Sequence, residues 1–250
     1  MINLKTTREL RYMRDAGKIS QEALQKAGEA VRPGVSTLEL DKIVRRTIEK
    51  AGAVPSFLGY GGFPASACIS VNNVVIHGIP SAHEILKEGD IVSIDVGAIY
   101  EGFNGDNAWT FPCGKVSEEA QKLMDATRES LFLAIEKAVP GNRIGDIGSA
   151  VQQYVEARNY SVVREFVGHG VGAKLHEDPS VPNYGTPGRG VRLLPGMTIA
   201  IEPMVTQGSC EVKILKDGWT TVTKDGKLAA HFEHSIAITP DGPVILTSLD

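Results

Sequence analysis

Two kinds of hydrophobic periodicity alternate along this chain. Thr6 and Glu9, in the T-x-x-E spacing of a capping box, open an amphipathic run that extends to about Val31. Ser36 and Glu39 do the same for a second helix that reaches about Lys50. Ser117, followed by Glu118 and Glu119, introduces a third helix whose Leu123, Leu131 and Ile135 form an apolar stripe, and Pro140-Gly141 ends it. A fourth runs from about Ile144 to Arg158. Between and after these helices the period drops to two, in β-branched segments at 67–76, 91–98, 107–111, 198–204, 220–223 and 232–239. Gly102-Phe103-Asn104-Gly105 reads as the turn joining the strands that carry Asp95 and Asp106. The expectation is α+β: a mostly antiparallel sheet covered by helices.

The pattern repeats. Pro33-Gly34, then Glu39, Leu40, Val44, Ile48 and Glu49, recur as Pro140-Gly141, then Asp146, Ile147, Val151, Val155 and Glu156. The strand ending at Asp95 recurs as the strand ending at Glu202, and 202 − 95 = 107, the same offset as 140 − 33. We therefore expect one domain over 1–250 made of two related halves, roughly 1–112 and 113–250. A pseudo-two-fold axis between them would bring Asp95 and Glu202 to equivalent places.

Composition narrows the function classes. A net charge of −4, from 26 basic and 30 acidic residues, gives no overall basic balance for sequence-specific nucleic-acid binding. Cys68, Cys113 and Cys210 are odd in number and form no C-x-x-C pair, which argues against a disulfide framework and fits a reducing cytoplasm. The charged start and the absence of a membrane-length apolar run predict a chain that is neither secreted nor anchored.

Within the strand pattern, Asp95 shares a face with Ser93 while Val92, Ile94 and Val96 fill the other. Asp106, His169, Glu202 and Glu233 sit in similarly apolar or glycine-flanked segments, and Glu233 shares its face with His231 and Ser235. Buried carboxylates repel one another unless cations lie between them. Four carboxylates balance about four positive charges and one imidazole favours first-row transition metals, so the set points to a dinuclear hydrolytic site. The ordinary alternatives are a single Asp bonded to backbone amides at a strand end and histidines on solvent-facing loops. His83 fits the latter and His234 a structural role. His77 and His176, each followed by proline three residues later, suit a cleft edge where an imidazole contacts a scissile amide or its developing oxyanion.

The segments Phe57-Leu58-Gly59-Tyr60, Cys68-Ile69-Ser70-Val71-Asn72, His77-Gly78-Ile79-Pro80, Ser93-Ile94-Asp95-Val96-Gly97, Gly105-Asp106, Gly168-His169-Gly170-Val171-Gly172, His176-Glu177-Asp178-Pro179, Ile201-Glu202-Pro203-Met204 and His231-Phe232-Glu233-His234 together resemble type I methionine aminopeptidases of the minimal bacterial form. The resemblance implies the pita-bread fold and removal of the initiator methionine from nascent chains with a small second residue. It implies two divalent ions, from among Co, Mn, Fe, Zn and Ni, with a structural monovalent cation as a further expectation. By the same resemblance Asp95 would chelate one metal, His169 and Glu202 would hold the other, and Asp106 and Glu233 would bridge both. A metal-bridging water would attack the scissile carbonyl, Glu202 would accept its proton, His176 would stabilise the oxyanion, and His77 would contact the peptide nitrogen. Phe57, Tyr60, Phe63, Cys68 and Trp219 would line or flank the methionine pocket, with Phe57, Phe63 and Leu175 departing from the family's usual residues. The implied partners are nascent N-termini and, further out, the ribosome; the expected form is a cytoplasmic monomer.

Two rival readings remain. An Xaa-Pro aminopeptidase or prolidase shares the ligands but generally carries an extra N-terminal domain, for which the residues before Asp95 leave little room. A non-enzymatic relative that binds RNA or a nascent chain typically loses metal ligands, and all five are present here.

Overall fold

The computed structural model describes residues 2–249. Four helices form where the caps predict: α1 (Thr7–Glu29), α2 (Thr37–Lys50), α3 (Glu118–Lys137) and α4 (Ile144–Glu156). In α1 and α2 both halves of the capping box are made. The Thr6 and Ser36 side chains accept from the Glu9 and Glu39 N–H groups, and the two glutamates accept in return. Asp146 accepts from the Arg143 N–H at the start of α4. Each bond satisfies a backbone group that the first helical turn leaves without a partner.

Among the described residues there are fifteen strands. They are β1 (Val54–Pro55), β2 (Ala67–Val71), β3 (Val74–Ile76), β4 (Ile91–Tyr100), β5 (Phe103–Pro112), β6 (Ser161–Val162), β7 (Gly168–Gly170), β8 (Glu177–Val181), β9 (Thr198–Ile201), β10 (Met204–Thr206), β11 (Val212–Ile214), β12 (Thr221–Thr223), β13 (Ala229–His231), β14 (Glu233–Thr239) and β15 (Gly242–Ile245). Eight (β2, β3, β4, β5, β9, β10, β12 and β14) overlap the alternating segments, and seven short ones lie outside them, where too few residues alternate to show a period. Nine of the fifteen make one antiparallel sheet in the order β1-β4-β5-β14-β9-β7-β8, with β2 also on β4 and β15 also on β14. Two three-stranded sheets, β13-β10-β6 and β11-β12-β3, complete the β structure among the described residues.

One face of the large sheet is apolar and carries the helices. Val92, Ile94 and Val96 join Leu24, Leu40, Val44 and Ile48 of α1 and α2 in one core, and Ile199, Ile201 and Ile236 join Leu123, Leu131, Ile147 and Val151 of α3 and α4 in another. Each such side chain, fully removed from water, stabilises the fold by about 1.5–3 kcal/mol. The opposite face is left for chemistry.

The two helix-to-strand units have matching geometry 107 residues apart. Gly34 and Gly141 have φ of 91° and 96°, and Gly89 and Gly196 have φ of 92° and 93°. The Gly34 N–H donates to Leu86 and the Gly141 N–H to Leu193, and isolated bridges join Ser36 to Ile85 and Arg143 to Arg192.

Three strand boundaries differ from the periodicity. The segment 67–76 is split by a turn at Asn72, where φ is 56°. The segment 198–204 breaks at Glu202-Pro203 and resumes in a different sheet, and Phe232 separates β13 from β14. The hairpin turn is Glu101-Gly102, with φ of 49° and 80°, and Tyr100 pairs with Phe103. The expected turn over 102–105 therefore misses Glu101 and overruns the strand by three residues, since Phe103, Asn104 and Gly105 are already in β5. Gly105 is glycine for a different reason: a Cβ there would collide with the backbone of Ala16 and Gly17, where α1 crosses the sheet.

Candidate active site

Strand register gathers the predicted ligands. Asp95 of β4 lies opposite Ala108 of β5, which lies opposite Glu233 of β14. Residues directly opposite share a sheet face, and so do residues two apart on one strand. Asp106 is therefore on the same face as Ala108, and its backbone N–H and C=O both bond the Ser235 hydroxyl. Ser235 pairs in turn with Ala200 of β9, two residues before Glu202. His169 completes the set from β7, where a Cβ on either neighbouring glycine would run into the carbonyl of Ala200 or of Asp178. Gly168 and Gly170 thus let three strands approach closely and hold His169 against the cluster.

The result is a compact group. His169 Nε2 lies 3.7 Å from Asp106 Oδ2 and 3.5 Å from Glu202 Oε1. Metal-competent atoms of Asp106, His169 and Glu233 lie within 4.8 Å of one another, and so do those of Glu202, His231 and Glu233. His169 Nδ1 is 2.8 Å from the Gly170 carbonyl, a bond that places the proton on Nδ1 and leaves Nε2 as a lone-pair donor facing the carboxylates.

Electrostatics identify what this group needs. Burial, reinforced by the neighbouring carboxylates, pushes the Asp95, Glu202 and Glu233 carboxyls well above their ordinary range, and burial pushes Asp106 up to about 7. Burial lowers His169 to about 4, so its imidazole is neutral and able to ligate. Among the described residues, seven buried side-chain N or O atoms have no hydrogen-bond partner. Four of them, Asp95 Oδ1, Asp106 Oδ1, His231 Nε2 and Glu233 Oε1, belong to this one cluster. Buried polar atoms without partners are costly, and divalent cations would satisfy the three carboxylate oxygens. The donor set of carboxylate oxygens and imidazole nitrogen fits such ions.

One cleft contains the rest of the predicted residues. Phe57, Tyr60, Phe63, Cys68, His77, His176 and Trp219 line it together with Asp95, Asp106, His169, Glu202 and Glu233. Phe57, Phe63, Cys68 and Leu175 are buried in one apolar cluster, and Trp219 stands edge-on to Phe63 at 5.2 Å between ring centres. Cys68 faces Asp95 across β2 and β4, and burial followed by that carboxylate raises its thiol pKa well above the ordinary value. At the rim, the Tyr60 hydroxyl lies 2.7 Å from His176 Nδ1, and the His176 ring is 4.1 Å from that of His169. Burial lowers the His176 pKa and takes His77 to about 4. His83 is exposed, and His234 lies away from the cleft with Nδ1 2.9 Å from the Thr247 hydroxyl, as expected of structural positions.

The sequence reading missed His231, Phe166, Val167 and Ile76. The last three line the cleft from loops and a short edge strand, and their apolar character alone does not separate them from core residues. His231 had one legible signal, its place two residues before Glu233 on the same face.

A cluster of four carboxylates and an imidazole on one face of a curled, helix-backed antiparallel sheet is the arrangement of a metallopeptidase, and residues 11–240 match Metallopeptidase family M24. The chain belongs to that family, whose members use divalent metal ions. It is 60% identical to the methionine aminopeptidase of Clostridium perfringens over 99% of both chains, and 54% identical to methionine aminopeptidase 1 of Bacillus subtilis over the same shares. The crystal structure of the Thermotoga maritima methionine aminopeptidase superposes with a TM-score of 0.98 at 47% identity, covering 99% of this chain and all of that one. The prolidase of Pyrococcus furiosus shares the fold, with a TM-score of 0.79 at 24% identity, and this chain covers 66% of it. The pita-bread fold expected from the motifs is the fold observed.

Proposed function

We propose that this protein removes the N-terminal methionine from newly made polypeptides, preferring a small second residue. It acts as a single catalytic domain of two related halves, roughly 1–112 and 113–250. The observation that carries this reading is the direct junction of the carboxylate–imidazole cluster with the apolar pocket of Phe57, Phe63, Cys68 and Leu175 in one cleft. An unbranched thioether fits a pocket walled by aromatic edges and a thiol.

Asp95, Asp106, His169, Glu202 and Glu233 would hold two divalent ions, which when bound supply Lewis acidity toward the scissile carbonyl and acidify water. Glu202, at the junction of β9 and β10, would accept the proton from the attacking water and return it to the leaving amine. His176 donates to the carbonyl oxygen as negative charge develops there, and Tyr60 orients it from the cleft mouth. His77, held edge-on by Phe166 and Trp219 at 5.7 and 6.1 Å, contacts the peptide nitrogen beyond the bond. Those rings limit the space for the second residue. A cytoplasmic location accords with activity on new chains.

Incubation of metal-reconstituted protein with Met-Ala-Ser, Met-Leu-Ser and Ala-Pro-Ser peptides tests this by mass spectrometry. Methionine released from the first peptide alone, and blocked by chelator, is the expected result. Alanine release from the third would favour a prolidase-like specificity, and no cleavage with any metal would sink the proposal.

A further inference from the structure

One further metal-competent side chain, behind the cleft wall, adjoins Glu202 and Glu233. His231 ends β13, and its backbone is fixed from two sides. Its N–H donates to Thr110 Oγ1 at 3.0 Å, its carbonyl accepts from the same hydroxyl at 2.8 Å, and the Ser93 hydroxyl lies 2.8 Å beyond. Across the small sheet it pairs with Met204, two residues after Glu202. The residue is 2% exposed, and its Nε2 has no hydrogen-bond partner. That nitrogen lies 3.8 Å from Glu202 Oε2 and 3.8 Å from Glu233 Oε2. Glu202 therefore faces an imidazole with each of its oxygens, His169 at Oε1 and His231 at Oε2.

We propose that His231 is a nitrogen ligand of the cation held by Glu202 and Glu233, so that the metal centre contains two imidazoles rather than one. The proposal rests on the reading of the cluster as a metal centre. A buried imidazole nitrogen equidistant from two carboxylates, on a backbone held by two hydrogen bonds, is positioned to share a cation with them, and a bridging water in place of that cation is the outcome that a count of imidazole resonances separates. Here no hydrogen bond is made at 3.8 Å, and the orphaned Glu233 Oε1 lies in the same group. A second borderline nitrogen also shifts the centre's preference toward Co(II), Zn(II) and Fe(II) relative to Mn(II), because imidazole ranks with the softer metals and carboxylate with the harder.

Co(II)-loaded protein provides the test, read by proton NMR and calorimetry rather than by turnover. Two hyperfine-shifted, exchangeable imidazole N–H resonances are expected in the unmodified protein, one absent in His169→Asn and the other in His231→Gln. His231→Gln should bind Co(II) about 10–100-fold more weakly, with a smaller loss for Mn(II). A single imidazole resonance in the unmodified protein, or wild-type Co(II) affinity in His231→Gln, would overturn the assignment. The resonance count needs no variant, so it stands even where a substitution harms folding. Two bound Co(II) ions with one imidazole signal defeat only the role of His231, whereas failure to bind Co(II) at all defeats the metal centre itself.

Discussion

Tyr60 and His176, 116 residues apart, are joined by a 2.7 Å hydrogen bond across the mouth of the cleft. A phenol donating to Nδ1 leaves the ring proton on Nε2, the nitrogen then free to donate to a developing oxyanion. The two rings also lie 5.3 Å apart, so Tyr60 restrains both the tautomer and the tilt of His176.

Tyr60→Phe keeps the ring and removes the hydroxyl. Loss of one neutral hydrogen bond corresponds to about 0.5–1.5 kcal/mol, or about a three- to tenfold fall in kcat/KM on a Met-Ala-Ser peptide. Steady-state kinetics check this, and unchanged kcat/KM would remove Tyr60 from any positioning role.

His169→Ala deletes the imidazole that faces both Asp106 and Glu202. Metal content measured by elemental analysis and peptide cleavage should both collapse, while the circular dichroism spectrum persists because the helix-backed cores lie on the other side of the sheet. A fully active His169→Ala protein would contradict the ligand assignment.

Glu202→Gln leaves an oxygen ligand but removes the base. The expected result is a kcat lower by about 10²–10⁴ with KM little changed, together with retained metal binding by calorimetry. Equal loss of kcat and of metal would instead make Glu202 a ligand only.

The metal-free protein should lose stability as pH rises from 6.5 to 8. Asp106 has a folded pKa of about 7, raised by burial from an ordinary 3.8, so the folded state holds its proton where the unfolded state has released it. With more protons bound when folded, stability falls with pH, and the penalty is complete above the folded pKa. The buried histidines act in the opposite sense, chiefly as pH falls through 6.5, where they become charged when unfolded and stay neutral when folded, and their effect fades over about one unit above it. Thermal melts in chelator should therefore drop from pH 6.5 to 8, with Asp106→Asn flattening the trend and added Co(II) reversing it. A melting temperature that rises over this window would show the carboxylates to be otherwise compensated.

The elements and the ligand types were legible in the chain because their signals are local. Capping boxes at Thr6 and Ser36 act within one helical turn, and the alternation that sets Asp95 against Val92, Ile94 and Val96 needs only the pleat of one strand. The motifs around His169, Glu202 and Glu233 identified the family. Boundaries set by other elements were not legible. Gly105 reads as a turn residue until α1 is seen to press on it, and Glu202-Pro203 reads as mid-strand until the chain is seen to change sheets.

By itself, then, the sequence determined the four helices and the longer strands, which of their faces are apolar, and which residues have metal-ligand chemistry, all properties of neighbours along the chain. Only the tertiary structure decided that Asp95 and Glu233 flank the same Ala108, that Tyr60 bonds His176, and that His231 reaches Glu202. Those relations depend on strand order and on pairing between separate segments, which for Asp95 with Glu233 and for Tyr60 with His176 lie more than a hundred residues apart. Such contacts are set by which buried faces fit together in the whole fold, and no local periodicity encodes them.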